Sequence, residues 1–258
     1  MRDSLLTVCS VSVFAHMIGV IIHEGLGHGC IALLTVSHSG VLSTLAWSST
    51  QDSKLVEAGG TLANLAGAAV FWLLLRSARE SSPATRLFLL LGCAFNLFSG
   101  AGYFLFSGIT NFGDWAMVIQ GMQPHLLWRI LLIAGGILAY LGSLVVVASG
   151  LVRYVGIPRS EHRRITRLML PAYLSAVLMA CASGLLNPLG PKYLLLSALP
   201  AAAGAGSGLL YMQWYAPKSA RPLVSVEAIN RSWTWAALSI VCALPFIFVL
   251  GRGITLAR

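Results

Sequence analysis

The chain has 258 residues, 57% of them hydrophobic and only 10% charged, against about 25% charged in an ordinary soluble domain. That balance excludes a soluble globular protein, which would lack the polar groups to cover its surface. A net charge of +9 would suggest nucleic acid in a soluble chain, but here the basic residues sit in short connections between apolar runs, so no nucleic-acid partner is expected.

A spanning helix needs about 20 mostly apolar residues. The sequence offers such runs at 5–34, 56–76, 86–107, 126–152, 166–188, 192–212 and 232–252. They predict an all-α, polytopic integral membrane protein with seven transmembrane helices, in contact with membrane lipids. The first run continues through a polar motif with no small-residue cleavage site behind it, so it reads as structure rather than a removable signal. The polar stretches at 36–55, 153–166 and 213–231 are too short for a soluble module. Residues 1–125 carry the chemically suggestive motifs, and 126–258 add further helices.

Small residues recur inside the runs, as in Gly59-Gly60, Gly135-Gly136 and Gly204, Gly206 and Gly208, where they let helices approach closely. The last set has no Lys and lies mid-span, so it is not a phosphate loop. Pro171, Pro200 and Pro245 mark kinks. Cys9, Cys30, Cys93, Cys181 and Cys242 have no paired spacing and read as small buried hydrophobes. No internal repeat is evident, which argues against a transporter built on inverted halves.

Basic residues alternate along the connections. Arg76, Arg79 and Arg86 flank the one after the second run, Arg153, Arg159, Arg163, Arg164 and Arg167 follow the fourth, and Lys218, Arg221 and Arg231 follow the sixth. The other connections hold Lys54 alone, nothing between 87 and 128, and Lys192 alone. Short loops rich in Lys and Arg stay cytoplasmic, which predicts a cytoplasmic N-terminus and an outer C-terminus, with Arg252 and Arg258 running against the trend.

Ionisable groups inside a membrane are costly and mark function. The conspicuous one is Glu24, between His23 and His28 in Ile21-Ile22-His23-Glu24-Gly25-Leu26-Gly27-His28-Gly29. Imidazoles bind zinc, a catalytic zinc site keeps one position open for water, and an adjacent carboxylate can take that water's proton. In the usual helical motif the two His are four apart; here they are five apart. On an α-helix that separation turns the second ligand about 140° from the first, against about 40° for four. One zinc therefore requires a π-bulge or local unwinding, which Gly25, Gly27 and Gly29 make inexpensive. His16, seven before His23, is an alternative ligand or a hydrogen-bonded buried His.

The run His23-Glu24-Gly25-Leu26-Gly27-His28-Gly29 resembles, with one residue inserted, the zinc motif of the site-2 protease family of intramembrane metalloproteases. Ala58-Gly59-Gly60-Thr61-Leu62-Ala63-Asn64-Leu65 resembles that family's second-helix segment. Phe95-Asn96-Leu97-Phe98 with Asn111-Phe112-Gly113-Asp114-Trp115 resembles its third-helix segment. The likeness covers about residues 15–120. It departs from the family pattern in the five-residue spacing, in Gly60 where Pro is usual, and in Trp115 where Gly is usual. The resemblance implies zinc held by His23, His28 and Asp114, Glu24 as the base, and Asn64 as a donor to the reacting carbonyl. Read without it, Asp114 is equally an ordinary loop residue, and Asn64 equally a helix–helix hydrogen bond.

The chain-order reading places all of these groups at one end of the bundle, the outer one by the charge rule, whereas family members usually open toward the cytoplasm. The expected activity is hydrolysis of a transmembrane peptide. A membrane zinc hydrolase acting on a lipid amide or ester needs the same ligands and base. A non-enzymatic metal carrier or sensor using His16, His23, His28 and Asp114 would need no Glu24.

Overall fold

The structure is a computed structural model that describes residues 2–51, 53–188, 190–218 and 220–257; Arg258 lies outside them. Seven helices among these residues are long and apolar enough to cross a membrane: Leu5–Thr35, Lys54–Ser77, Pro83–Thr110, His125–Val155, Arg159–Gly184, Leu194–Tyr215 and Trp233–Leu250. Each coincides with one of the seven apolar runs. Helices are the spanning form in which every backbone polar group is satisfied within its own segment.

The third span is the centre of the bundle. Two thirds of its most apolar window is buried (67%), against 17% for the seventh span, and Leu87, Leu90, Leu91 and Phe98 are wholly enclosed. The first, second and fourth spans pack on it. Large apolar side chains such as Leu73, Leu138, Leu178 and Val241 face outward, as lipid-facing positions do. Of the five cysteines, all free, only Cys93 is buried, and Cys30 is exposed; the expectation of five buried hydrophobes is corrected accordingly.

Helix segments do not account for the whole chain. Strands β1 (Ser39–Leu42), β2 (Trp47–Ser48) and β3 (Ile254–Ala257) form an antiparallel sheet of order β2-β1-β3, with Leu42 opposite both Trp47 and Ile254. The chain's last described residues thus return to the hairpin that follows the first span. At the opposite end, Arg164 grips Asp3 through two bonds of 2.8 Å and also reaches Glu161 and the Glu227 carbonyl. That cluster ties together the beginnings of the first and fifth spans and the approach to the seventh.

The sixth span is not α-helical along most of its length. It runs as π-helix over Leu194–Ala198 and Pro200–Gly204 and as 3-10 helix over Ala205–Tyr211. Pro200 removes one backbone donor, and Gly208 sits against the Phe98 ring, so closely that a Cβ there would fall 2.6 Å from it.

Candidate metal centre

The first span is one continuous helix, but Ile21–Cys30 within it is π-helical. A π-helix bonds residue i to i+5, so residues five apart come to one face. His23 and His28 are the pair so aligned, and their Nε2 atoms stand 3.2 Å apart. Of the two routes open to a five-residue spacing, the chain takes the first, extended from a single bulge to ten residues.

The partners of the two rings fix their chemistry. His23 Nδ1 lies 2.6 Å from Asn64 Oδ1, and His28 Nδ1 lies 2.7 Å from the Val56 carbonyl. The Asn64 amide is itself oriented, because its Nδ2 donates to the Gly19 carbonyl and to Asn96 Oδ1, while Asn96 Nδ2 donates to the Gly92 carbonyl. Both Nδ1 atoms therefore face oxygens that only accept, and each neutral ring carries its hydrogen there. The Nε2 lone pairs are left pointing at each other, with Asp114 Oδ2 3.2 Å from one and 3.4 Å from the other. Two lone pairs and a carboxylate oxygen converging inside a protein repel one another unless a metal ion or a proton sits between them. A tetrahedral site with bonds of about 2.0–2.1 Å has ligand–ligand edges of about 3.3–3.4 Å. The triangle of His23, His28 and Asp114 matches it, and among the described residues these are the His, Cys, Asp or Glu side chains placed close enough to hold a metal ion.

Asp114 arrives from outside the third span. Asn111 caps that helix in the left-handed conformation (φ 56°), and Gly113 follows at φ 84°, a backbone that turns the chain back over the bundle and favours glycine. Asp114 opens the short helix Asp114–Val118. Trp115 pins it to the second span, its Nε1 donating to Thr61 Oγ1 at 2.9 Å, with its ring packed on Phe104. A glycine at 115 could make neither contact.

The second span supplies the floor. A Cβ built on Gly60 would lie 2.6 Å from His23 Nε2 and closer still to His28 Nε2, inside the space where the ligand atoms meet. Gly27 and Gly59 touch backbone to backbone at the same crossing. Glycine at 60, where the resembling family has proline, is thus required by contact with the histidines.

Glu24 is buried, and its Oε2 has no hydrogen-bond partner in the chain; a backbone hydrogen bond from Trp47 on β2 also reaches the carboxylate. It forms part of the wall of a cavity of about 500 Å³ that His28, Asp114, Trp47, Tyr103 and Ser197 also line. Glu24 therefore stands beside the His23–His28–Asp114 triad and borders the cavity without belonging to the triad.

Two expectations are corrected. Asn64 is wholly enclosed and both its amide hydrogens are committed to Gly19 and Asn96, so it presents no donor to a carbonyl in the cavity; it orients His23 instead. His16 is buried, but it is not one of the grouped ligands, because the π-helix gives His23 its partner in His28. Sequence reasoning overlooked Tyr103, whose ring stacks on His23 at 4.4 Å between centroids. Its signal was available, since Tyr103 lies seven residues after Asn96, on the same face of the third span. The contribution of Tyr193, Leu196, Ser197, Pro200 and Ala201 to the cavity wall carried no such signal.

Comparison with known proteins returned no match: no family model, curated protein or solved structure corresponds to the chain.

Proposed function

We propose that the protein is an intramembrane zinc hydrolase that cuts peptide bonds within or near the bilayer, as the site-2 protease family does. The observation that carries this reading is the convergence of His23, His28 and Asp114 beside the buried Glu24, with His28, Asp114 and Glu24 on the wall of one cavity. Two imidazoles and a carboxylate with one side open to a cavity are the donor set of a catalytic rather than a closed structural zinc site. When bound, zinc supplies Lewis-acid chemistry toward water and a carbonyl.

The chain's own residues do the rest. Asn64 and the Val56 carbonyl hold the two imidazoles in the tautomer that exposes Nε2, the kind of outer support on which metal affinity depends. Glu24 accepts a proton from the attacking water and delivers it to the leaving amine. Tyr103, stacked on His23 and facing the cavity, closes one side of the reacting space. β2 is an edge strand of its sheet, and Ala46 and Trp47 reach the cavity; an extended peptide can pair with such an edge. Under the same reading the Arg-rich end with Arg164 faces the cytoplasm, and the metal centre opens to the opposite side.

A second reading keeps the metal and changes the substrate. The apolar side chains Leu196, Pro200, Ala201 and Ala205 of the sixth span wall the cavity, which suits an acyl chain and hence a lipid amide or ester. Purified protein incubated with a panel of transmembrane peptides and a panel of lipids separates the two. Replacing Glu24 by Gln tests both: hydrolysis should fall about 10²–10⁴-fold while metal content stays near one per chain. A folded, metal-loaded Glu24→Gln protein with undiminished hydrolysis would falsify the mechanism.

A further inference from the structure

Several cations at the Arg-rich end are held by the chain itself. Arg164 binds Asp3 and Glu161, Arg86 donates to the Arg79 and Ser81 carbonyls, and Arg159 donates to the Ala216 carbonyl. Arg163 and Arg167 differ. They lie about one turn apart within the helix His162–Gly184 of the fifth span, and both are exposed. Among the described residues neither makes an ion pair. Residues three and four apart share a helix face, and the same face continues through Leu170, Leu174 and Leu178, exposed at 42%, 48% and 69%. The opposite face, with Ile165, Leu168, Met169 and Ala172, is buried in the core of the bundle.

We propose that this outward face of the fifth span binds an anionic phospholipid, with the phosphate at Arg163 and Arg167 and an acyl chain along Leu170, Leu174 and Leu178. A guanidinium matches phosphate oxygens with paired N–H donors, and anionic lipids attract such cations where zwitterionic ones do not. Glu161, the nearest acid in the sequence, turns to Arg164 instead. The level in the bilayer also fits. Thr166 Oγ1 donates to Gln213 Oε1 at 2.8 Å, which sets the end of the sixth span beside this face, and there Trp214 and Tyr215 are exposed at 60% and 36%. Trp and Tyr gather at headgroup depth, so the two arginines stand among phosphates and the leucines below them among acyl chains. Charges that only orient a membrane protein need to lie in its loops; they need not crown a row of leucines on a spanning helix. The site is independent of the metal centre and of which side of the membrane the Arg-rich end faces.

The test titrates the purified, delipidated protein in mild detergent with phosphatidylglycerol and with phosphatidylcholine, and counts bound lipid by native mass spectrometry. The wild type should hold phosphatidylglycerol at concentrations where phosphatidylcholine stays unbound. Arg163→Gln combined with Arg167→Gln should bind it about 30-fold more weakly, the effect of two cations near an anionic surface. Both side chains are exposed, so the melting temperature should not change; Arg167→Gln alone serves if the double variant does not fold. Arg76→Gln removes an exposed charge from the same end, on the second span, and should bind as the wild type does. Glycerol phosphate, a headgroup without acyl chains, should not displace the lipid. Equal binding of the two lipids, or undiminished binding in the double variant, overturns the inference. So does an equal loss in Arg76→Gln, which assigns the attraction to the whole basic end, or displacement by glycerol phosphate, which assigns it to anions without chains.

Discussion

Asn64 Oδ1 accepts from His23 Nδ1 at 2.6 Å, inside the protein and beyond the reach of the cavity. Replacing Asn64 by Leu should leave the helices in place but free the ring to turn. Loss of such an outer-shell partner typically weakens metal binding by 10–100-fold. Competition with a chelator should show that loss in Asn64→Leu, with Asn64→Asp, which keeps an acceptor, closer to wild type. Equal affinity in all three proteins would contradict the orienting role.

Gly60 faces His23 Nε2 and His28 Nε2 so closely that an added methyl group would fall within 2.6 Å of both. Gly60→Ala should therefore bind little or no metal, while Gly135→Ala, on the fourth span with open space beside its Cα, should bind normally. Metal analysis of both purified variants decides the matter. A fully loaded Gly60→Ala protein would show that the ligands meet elsewhere.

The arrangement of charges makes a prediction about orientation. In a background with the native cysteines replaced, a cysteine at Thr50, exposed at the metal end, should react with an impermeant thiol reagent in intact cells. One at Glu80, exposed at the Arg-rich end, should stay unlabelled. Labelling at 80 alone would reverse the orientation and turn the metal centre to the cytoplasm.

The Asp3–Arg164 pair makes stability depend on pH. Burial raises the Asp3 carboxyl, but the Arg164 hydrogen bonds and charge outweigh it, and the net shift is downward. A carboxyl whose pKa is lowered on folding contributes stability that is full above its unfolded value, about 3.9, and is lost as pH falls through the folded value. Asp3→Asn should thus lower the melting temperature in detergent at pH 7, by the equivalent of about 1.5–3 kcal/mol for hydrogen bonds to a charged group. The difference from wild type should shrink toward pH 3. A difference that does not vary with pH would assign the clamp to packing instead.

Much of this architecture is legible in the sequence because a bilayer imposes a strong rule: long apolar runs become helices, and each of the seven appears where the runs lie. The His23–Glu24–His28 cluster stood out for the same reason, as charge where charge is costly. The π-helix was legible only as one of two escapes from a spacing that an α-helix cannot serve. What the sequence hid is what depends on contacts between distant segments. β3 is four residues of alternating burial, too short to stand apart from the apolar tail around it, and it is a strand because β1 is there to pair with it. The sixth span's place at the cavity follows from packing of Gly208 on Phe98, which no local pattern reveals. Asn64 was recognised as important, but which way its amide pointed required Asn96 and Gly19 to be set beside it.

The central claim is that His23, His28 and Asp114 hold one metal ion, and it is tested most directly by metal analysis of the purified wild-type protein with His28→Ala and Asp114→Ala. The wild type should carry about one zinc per chain. Each variant, if folded, should lose most of it, since removing a ligand is worse than the 10–100-fold cost of disturbing its support. A folded wild-type protein without bound metal and unable to take it up, or a His28→Ala protein that keeps a full complement, would contradict the account.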